Sequence, residues 1–132
     1  MAGDIKGSAE FDRKLKDWKT GILKVVAAGL TEWGERTIAV SADGGEGYSG
    51  NIVPVDTGRL LNSKRVGKPE LRGQEVSITI GYHTDYAAAV HELDEANFKR
   101  PGSGSQFLRE PAKHMGEKSK DIIGPYIADF LK

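Results

Sequence analysis

The sequence has no cysteine, no net charge and no long apolar run. The lack of cysteine excludes disulfide frameworks, thiolate nucleophiles and cysteine-based zinc sites. Nineteen Lys and Arg residues balance nineteen Asp and Glu residues, whereas a protein that binds nucleic acid through bulk charge should be plainly basic. No stretch approaches the roughly 18 to 20 apolar residues of a membrane span, and the N-terminus lacks a signal-peptide pattern. We therefore expect a protein of a cytoplasm-like compartment with no membrane partner.

Glycine is the residue type in clear excess. It makes up 17 of the 132 residues, nearly twice the usual share of about 7%, and ten of these glycines lie between Gly44 and Gly104. Two glycine-rich stretches, 41–53 and 94–105, are predicted to be long mobile loops that order when a partner binds. With no repeat and no linker between two apolar cores, we expect a single domain over residues 1–132.

A long amphipathic helix is predicted from residue 9 to about residue 40, because apolar residues recur there at spacings of four and three. Ser8 suits the start of this helix. Gly29 and Gly34 each cost about 1 kcal/mol relative to Ala inside a helix, which indicates a kink or close packing. The apolar stripe consists of Phe11, Leu15, Trp18, Ile22, Val25, Gly29 and Trp33.

The rest of the chain predicts a small sheet with short helices and a final helix. Asp56 and Asp85 are placed to cap short helices. Residues 64–67 and 75–82 are predicted to be strands joined through 69–73, with alternating apolar residues in the second. The final helix is predicted to begin near Pro111 and to be interrupted at 124–125. The fold class is therefore α+β, with a long N-terminal helix and a C-terminal helix on a mainly antiparallel sheet.

The triplet Asp56-Thr57-Gly58 raises one enzymatic alternative, since Asp-Thr-Gly is the signature of aspartic proteases. In the small dimeric enzymes, two such aspartates share one proton across the dimer axis, and residues 122–124 echo their apolar-apolar-Gly partner motif. Against this interpretation, Pro54 precedes the triplet, residues 122–124 fall in a helical pattern, and a long helix has no place in an all-β protease. A turn before a short helix is the favoured interpretation.

No cofactor or metal site is predicted. His91-Glu92 opens like the zinc motif HExxH, but Glu95 occupies the place of the second histidine ligand. The glycines of 44–50 lack the Gly-Lys-Ser/Thr ending of a phosphate-binding loop and follow no predicted strand.

Two local charge patches stand out in a chain that is neutral as a whole. They are candidate interfaces, because opposite patches on one subunit can meet between neighbouring subunits. The basic patch contains Lys64, Arg65, Lys68 and Arg72, and the acidic patch contains Asp85, Asp94 and Glu95.

Three short segments occur in a fixed order along the second half of the chain. A Pro-x-Asp-Thr-Gly-x-Leu stretch precedes the predicted strand pair, a Tyr-Ala-x-x-Val-x-Glu segment follows it, and Phe-Leu with a nearby Pro-Ala opens the final helix. Their residues are Pro54, Asp56, Thr57, Gly58, Leu60, Tyr86, Ala87, Val90, Glu92, Phe107, Leu108, Pro111 and Ala112. In this order and spacing the segments resemble the head-tail joining or tail-completion proteins of long-tailed bacteriophages and prophages. The predicted long first helix also fits the family.

The resemblance implies a structural virion protein and no catalysis. Such proteins form homo-oligomeric rings, commonly hexamers, at the neck between head and tail, after synthesis in the host cytoplasm. Their partners are the head connector or stopper and the tail tube or terminator proteins, and DNA passes through the lumen without sequence-specific binding. Within the phage interpretation, a tail terminator and a minor capsid-associated protein are the alternatives.

Overall fold

The computed structural model describes residues 2–92 and 100–132, with side chains described from residue 9. It confirms the α+β class: a long N-terminal helix, C-terminal helices and two small antiparallel strand pairs. In chain order, the elements are α1 (Ala2–Asp43), α2 (Arg59–Asn62), β1 (Lys64–Val66), β2 (Glu70–Arg72), β3 (Glu75–Ser77), β4 (Ile80–Tyr82), α3 (Ala87–His91), α4 (Arg109–Gly116) and α5 (Ser119–Phe130).

Helix α1 is longer than predicted at both ends. It is already helical at Ala2, so Ser8 lies inside the helix rather than at its start. It also takes in residues 41–43, which the sequence predicts as the start of a loop, because Ser41 and Ala42 are fully buried. Gly44 then ends the helix with φ +82°, a left-handed conformation that glycine adopts at little cost.

Helices α1 and α5 pack closely at the glycines of α1. A Cβ on Gly29 would lie 3.2 Å from the Ile123 Cα atom, and one on Gly21 would lie 2.9 Å from the Phe130 ring. The Trp33 indole donates a 2.8 Å hydrogen bond to the Met115 carbonyl at the end of α4. Close packing, predicted as one of two uses of Gly29, is therefore confirmed.

The four strands form two antiparallel pairs, β1 with β4 and β2 with β3. The prediction of a simple connection over 69–73 was wrong, because strand β2 lies within that segment. The single strand predicted over 75–82 is two strands, β3 and β4, separated by residues 78–79. Pro69 lacks a backbone N–H and cannot continue the ladder from β1. Gly67 still donates to the Thr79 carbonyl at 2.8 Å, and this bond links the two pairs.

The two predicted aspartate caps were wrong. The N-cap residues are Gly58 for α2, with φ +84°, and Tyr86 for α3, and neither helix has a side-chain hydrogen bond from its N-cap residue. The left-handed conformation of Gly58, which glycine adopts at little cost, supplies the change of direction that starts α2.

The predicted C-terminal helix is divided, but not where the sequence indicated. Helix α4 begins two residues before the buried Pro111, and the break to α5 falls at 117–118. Pro125 lies inside α5, whose packing against α1 on both sides of the proline maintains the helix. Part of the second predicted loop lies outside the described residues.

The N-terminal part of the apolar stripe is exposed. Phe11, Leu15 and Trp18 are 64%, 38% and 48% exposed, respectively, although the pattern predicted one continuous buried face. Helix α5 ends at Phe130, whose ring centroid lies 6.2 Å from that of Trp18, so α5 is too short to cover the residues before Trp18. In residues 2–92 and 100–132, no helix has an apolar stretch long enough to cross a bilayer.

Candidate functional site

Residues from all three family-like segments meet in one apolar cluster, here called the motif cluster. Its buried centre contains Leu60 from α2 and Phe107 from the segment before α4, with Ala42 and Val53. The partly buried residues that pack against this centre are Leu61, Tyr82, Tyr86, Ala87, Val90 and Leu108. The segments are far apart in sequence, so the cluster joins α2, α3, β4 and the start of α4 into one unit.

Phe107 is the central side chain of the motif cluster. It is 1% exposed, and its ring meets those of Tyr82 and His91 edge to face at 5.3 and 5.1 Å between centroids. Such aromatic pairs add about 0.5–1.5 kcal/mol each beyond the area that they bury. The resemblance marked Phe107, whereas no sequence pattern indicated that His91 would pack against it.

Ser41 connects α1 to the motif cluster. Its hydroxyl donates a 2.5 Å hydrogen bond to the Phe107 carbonyl and lies 2.8 Å from the Tyr82 hydroxyl. Because Ser41 has only one proton to give, Tyr82 donates to the Ser41 oxygen. Burial raises the pKa of Tyr82 to about 12, so this phenol is neutral over the physiological range.

Glu92 ties α3 to the segment that enters α4. Its carboxylate accepts hydrogen bonds from His91 Nδ1 at 3.1 Å, Gln106 Nε2 at 3.2 Å and Arg109 Nη2 at 3.3 Å. The bonds from His91 and Gln106 lower the pKa of Glu92, and Arg109 adds to this effect. Gln106 has φ +58°, an uncommon conformation for a residue with a Cβ. The bonds to Glu92 and to the His91 carbonyl hold it there.

The other family-like residues do not join the motif cluster's centre. Pro54 is half-buried, and Asp56 and Thr57 are exposed in the approach to α2. Pro111 is buried in α4, and Ala112 lines a shallow groove with Trp33, Ile80 and Leu108. Residues 122–124 lie within α5, as the helical pattern predicted.

The basic patch is spread along the strand pairs. Lys64, Arg65 and Lys68 are exposed, and Arg72 pairs with Glu70 at 3.5 Å. Because Lys64 lies opposite Tyr82 in the register, Lys64 and the exposed Asp85 are at one end of the strand pairs and Arg72 is at the other. Asp94 and Glu95, predicted with Asp85 as the acidic patch, lie outside the described residues.

The glycine-rich segment 44–53 contacts the body of the protein at several points that the sequence did not reveal. The Glu46 carbonyl accepts hydrogen bonds from His114 Nε2 at 2.8 Å and Lys118 Nζ at 2.6 Å. The Glu46 carboxylate pairs with Arg36, which lowers the pKa of Glu46. Tyr48 donates to the Asn51 carbonyl at 2.6 Å. No periodic pattern in the sequence indicates these contacts. The mobility of the segment stays a prediction.

The second glycine-rich segment, from residue 100 onward, pairs with the first. Ile52 donates to the Gly102 carbonyl at 3.0 Å and accepts from the Gly104 N–H at 3.2 Å. The Asn51 side chain donates to the Ser105 carbonyl at 3.0 Å. The two stretches predicted as separate loops are therefore joined by backbone hydrogen bonds.

Comparison of the chain with protein-family models, curated proteins and solved structures finds no match. Within the described part of the chain, no group of three or more His, Asp or Glu side chains is arranged to hold a metal ion.

Proposed function

We propose that this chain is a non-enzymatic structural protein of a tailed-phage particle, which forms a ring at the head-tail junction and leaves a channel for DNA. The observation that carries the proposal is the motif cluster. The three segments that resemble the joining proteins are distant in sequence, yet Leu60, Tyr86 and Phe107 belong to one packing unit. Residues used in this way stabilise a particular subunit shape, which is what a ring requires of its building block.

Glu92, a polar residue of the second segment that resembles the phage family, supports the same interpretation. Its carboxylate is occupied by His91, Gln106 and Arg109, so it fixes the geometry of α3 against α4. The role we assign to Glu92 is therefore to position the surfaces on either side of it.

The exposed charges supply the surfaces for neighbouring subunits. A ring subunit contacts two neighbours through two different patches, and closure of the ring satisfies both. Lys64 and Arg65 project from β1, a strand that pairs only with β4 among the described residues. We assign this basic surface to the contact with an acidic surface of the next subunit.

The protease alternative has less support. Asp56 is exposed in the approach to a helix, and its partner motif at 122–124 lies within α5. Aspartic proteases place both of these motifs in a β architecture, and α1 alone spans 42 residues of this chain.

The decisive experiment is deletion of the coding sequence from the phage or prophage that encodes it. The expected result is the accumulation of filled heads and finished tails that remain unjoined, seen by electron microscopy and restored by the intact chain in trans. Joined, infectious particles in the deletion strain would overturn the proposal. Tails of uncontrolled length would instead indicate the terminator role.

Purified protein gives a second test through native mass and particle images, with six-fold rings as the expected result. Lys64→Glu with Arg65→Glu should break the rings. The matched control is Lys113→Glu with Lys120→Glu, two exposed lysines on α4 and α5, and it should leave the rings intact. Equal loss in both variants would contradict the assignment of the basic patch.

A further inference from the structure

The strongest unexplained feature outside the motif cluster is the exposed start of the apolar stripe on α1. Phe11, Leu15 and Trp18 are here called the uncovered stripe. Phe11 is 64% exposed, and Ile22, one turn beyond Trp18, is only half-buried. Large exposed apolar side chains in a row mark an interaction surface. A helical segment without tertiary packing is also marginal in water, so this part of α1 needs a partner.

The spacing of the uncovered stripe fits a partner that is itself a helix. Phe11, Leu15, Trp18 and Ile22 are separated by four, three and four residues, which is the alternation of a coiled-coil seam. In heptad positions, Leu15 and Ile22 occupy a, and Phe11 and Trp18 occupy d. The seam continues under α5 of the same chain, where Phe130 packs at Gly21, and emerges only where α5 ends.

The charges beside the seam favour a second copy of the same helix in antiparallel orientation. Asp12 and Lys19 occupy successive e positions, and Lys14 occupies a g position. Two parallel copies would bring Lys14 of each chain next to Lys19 of the other, and like charges repel. In the antiparallel arrangement with Leu15 opposite Trp18, Asp12 of each copy lies beside Lys19 of the other. Two attractive pairs then replace two repulsive ones.

We propose that the uncovered stripe binds the same stripe of a second copy in antiparallel orientation, forming a two-fold dimer in which Leu15 of each copy faces Trp18 of the other. The contact buries the exposed apolar side chains of both copies at once, and the two copies of α5 flank it as a four-helix arrangement. The dimer does not depend on the proposed function. A two-fold contact pairs two subunits, whereas ring closure uses a different pair of surfaces.

Sedimentation equilibrium of the full chain over a range of concentrations tests the apolar contact. The chain that carries Lys64→Glu and Arg65→Glu, in which the proposed ring contact is broken, is expected to populate dimers, and adding Leu15→Glu should weaken this dimerisation by at least about 100-fold, because a carboxylate would be buried in the seam. The matched control is Leu71→Glu on β2, another leucine that is 44% exposed, and it should leave dimerisation unchanged. Circular dichroism checks that both variants fold.

Charge exchange tests the orientation. Asp12→Lys and Lys19→Asp should each weaken the dimer about tenfold, and the double variant should restore it. The lack of cysteine gives a direct check: when Leu15→Cys chains and Trp18→Cys chains are mixed and oxidised, the antiparallel register predicts mainly the mixed disulfide, which its mass identifies.

A wild type that is monomeric at every concentration would overturn the proposal, as would same-residue disulfides as the main product or a double charge variant that stays weak. Binding of the monomer to anionic vesicles in place of dimerisation would assign the stripe to a membrane surface and also overturn it. Six-fold rings and head-tail joining in the wild type, with no dimer in the chain that carries Lys64→Glu and Arg65→Glu, would refute this inference alone. Failure of joining alone would refute only the proposed function.

Discussion

The Arg100 guanidinium donates a 2.6 Å hydrogen bond to the carbonyl oxygen of Ala42 in the last turn of α1. The same nitrogen donates to the Val53 carbonyl at 3.0 Å, and the second nitrogen pairs with Asp43 at 3.3 Å. The final carbonyls of a helix lack intrahelical partners and carry partial negative charge. Arg100 therefore caps α1 and joins it to the segment on which Val53 lies.

Arg100→Gln should destabilise the protein by about 2 kcal/mol, because charge-assisted hydrogen bonds to buried carbonyls are lost. The free energy of unfolding in urea, monitored by circular dichroism, measures the effect. Arg72→Gln is the matched control, since Arg72 is 84% exposed and pairs only across the surface with Glu70; its effect should stay within about 0.5 kcal/mol. Similar losses in the two variants would contradict the capping role.

Gly29→Ala should destabilise the protein by about 1 kcal/mol, although alanine favours helix. The new methyl group would meet the Ile123 backbone at 3.2 Å and push α5 away from α1. That cost of about 1–3 kcal/mol outweighs the gain in helix propensity of about 1 kcal/mol.

Gly116→Ala is the control for this substitution. Gly116 ends α4, and a methyl group added there would meet no neighbouring atom within 4 Å, so we expect stabilisation by about 0.5 kcal/mol. Thermal and urea unfolding should therefore move in opposite directions for the two variants. A stabilised Gly29→Ala protein would show that the helices separate at little cost.

The stability of the protein should fall as the pH rises from about 10 toward 12. An unfolded tyrosine ionises near its ordinary pKa of 10.0, whereas burial raises the pKa of Tyr82 to about 12. The neutral form that the fold requires is present in full below pH 10, and its contribution is lost as the pH passes through the raised pKa.

Tyr82→Phe should lower the stability at pH 7 by about 1 kcal/mol, through loss of the bond to Ser41. It should also make the decline above pH 10 less steep. Urea unfolding at a series of pH values between about 8.5 and about 11.5, which brackets the ordinary tyrosine pKa, measures both effects. Parallel pH curves for the variant and the wild type would contradict a buried, neutral Tyr82.

Much of the architecture could be predicted from hydrophobic period alone. The spacing of four and three predicted α1, and the alternation of Val76, Ile78 and Ile80 with exposed neighbours predicted a half-buried sheet face, which the structure confirms. The predicted helix boundaries are wrong at positions where tertiary packing, rather than the local sequence, determines the structure. Pro125 is compatible with α5 because α1 supports that helix, and the actual break at 117–118 follows Gly116, a weaker signal in the sequence than the glycine and proline at 124–125.

The site was predictable in part. Some residues of the motif cluster, including Leu60 and Phe107, are ones that the resemblance marked, whereas Ala42, Val53 and Tyr82 are not. The resemblance could not identify Ser41 and Arg100, whose roles depend on hydrogen bonds between segments that are distant in sequence. The exposure of Phe11 was also hidden, because periodicity shows that a helix has an apolar face but not how far the covering helix extends.

The backbone pairing of Ile52 with Gly102 and Gly104 has a consequence for engineering the protein. Because these bonds join the two glycine-rich segments, neither can be replaced in isolation without removing the other's partners. A design that replaces one of the segments should therefore replace both together. Neither glycine-rich segment is independent of the other.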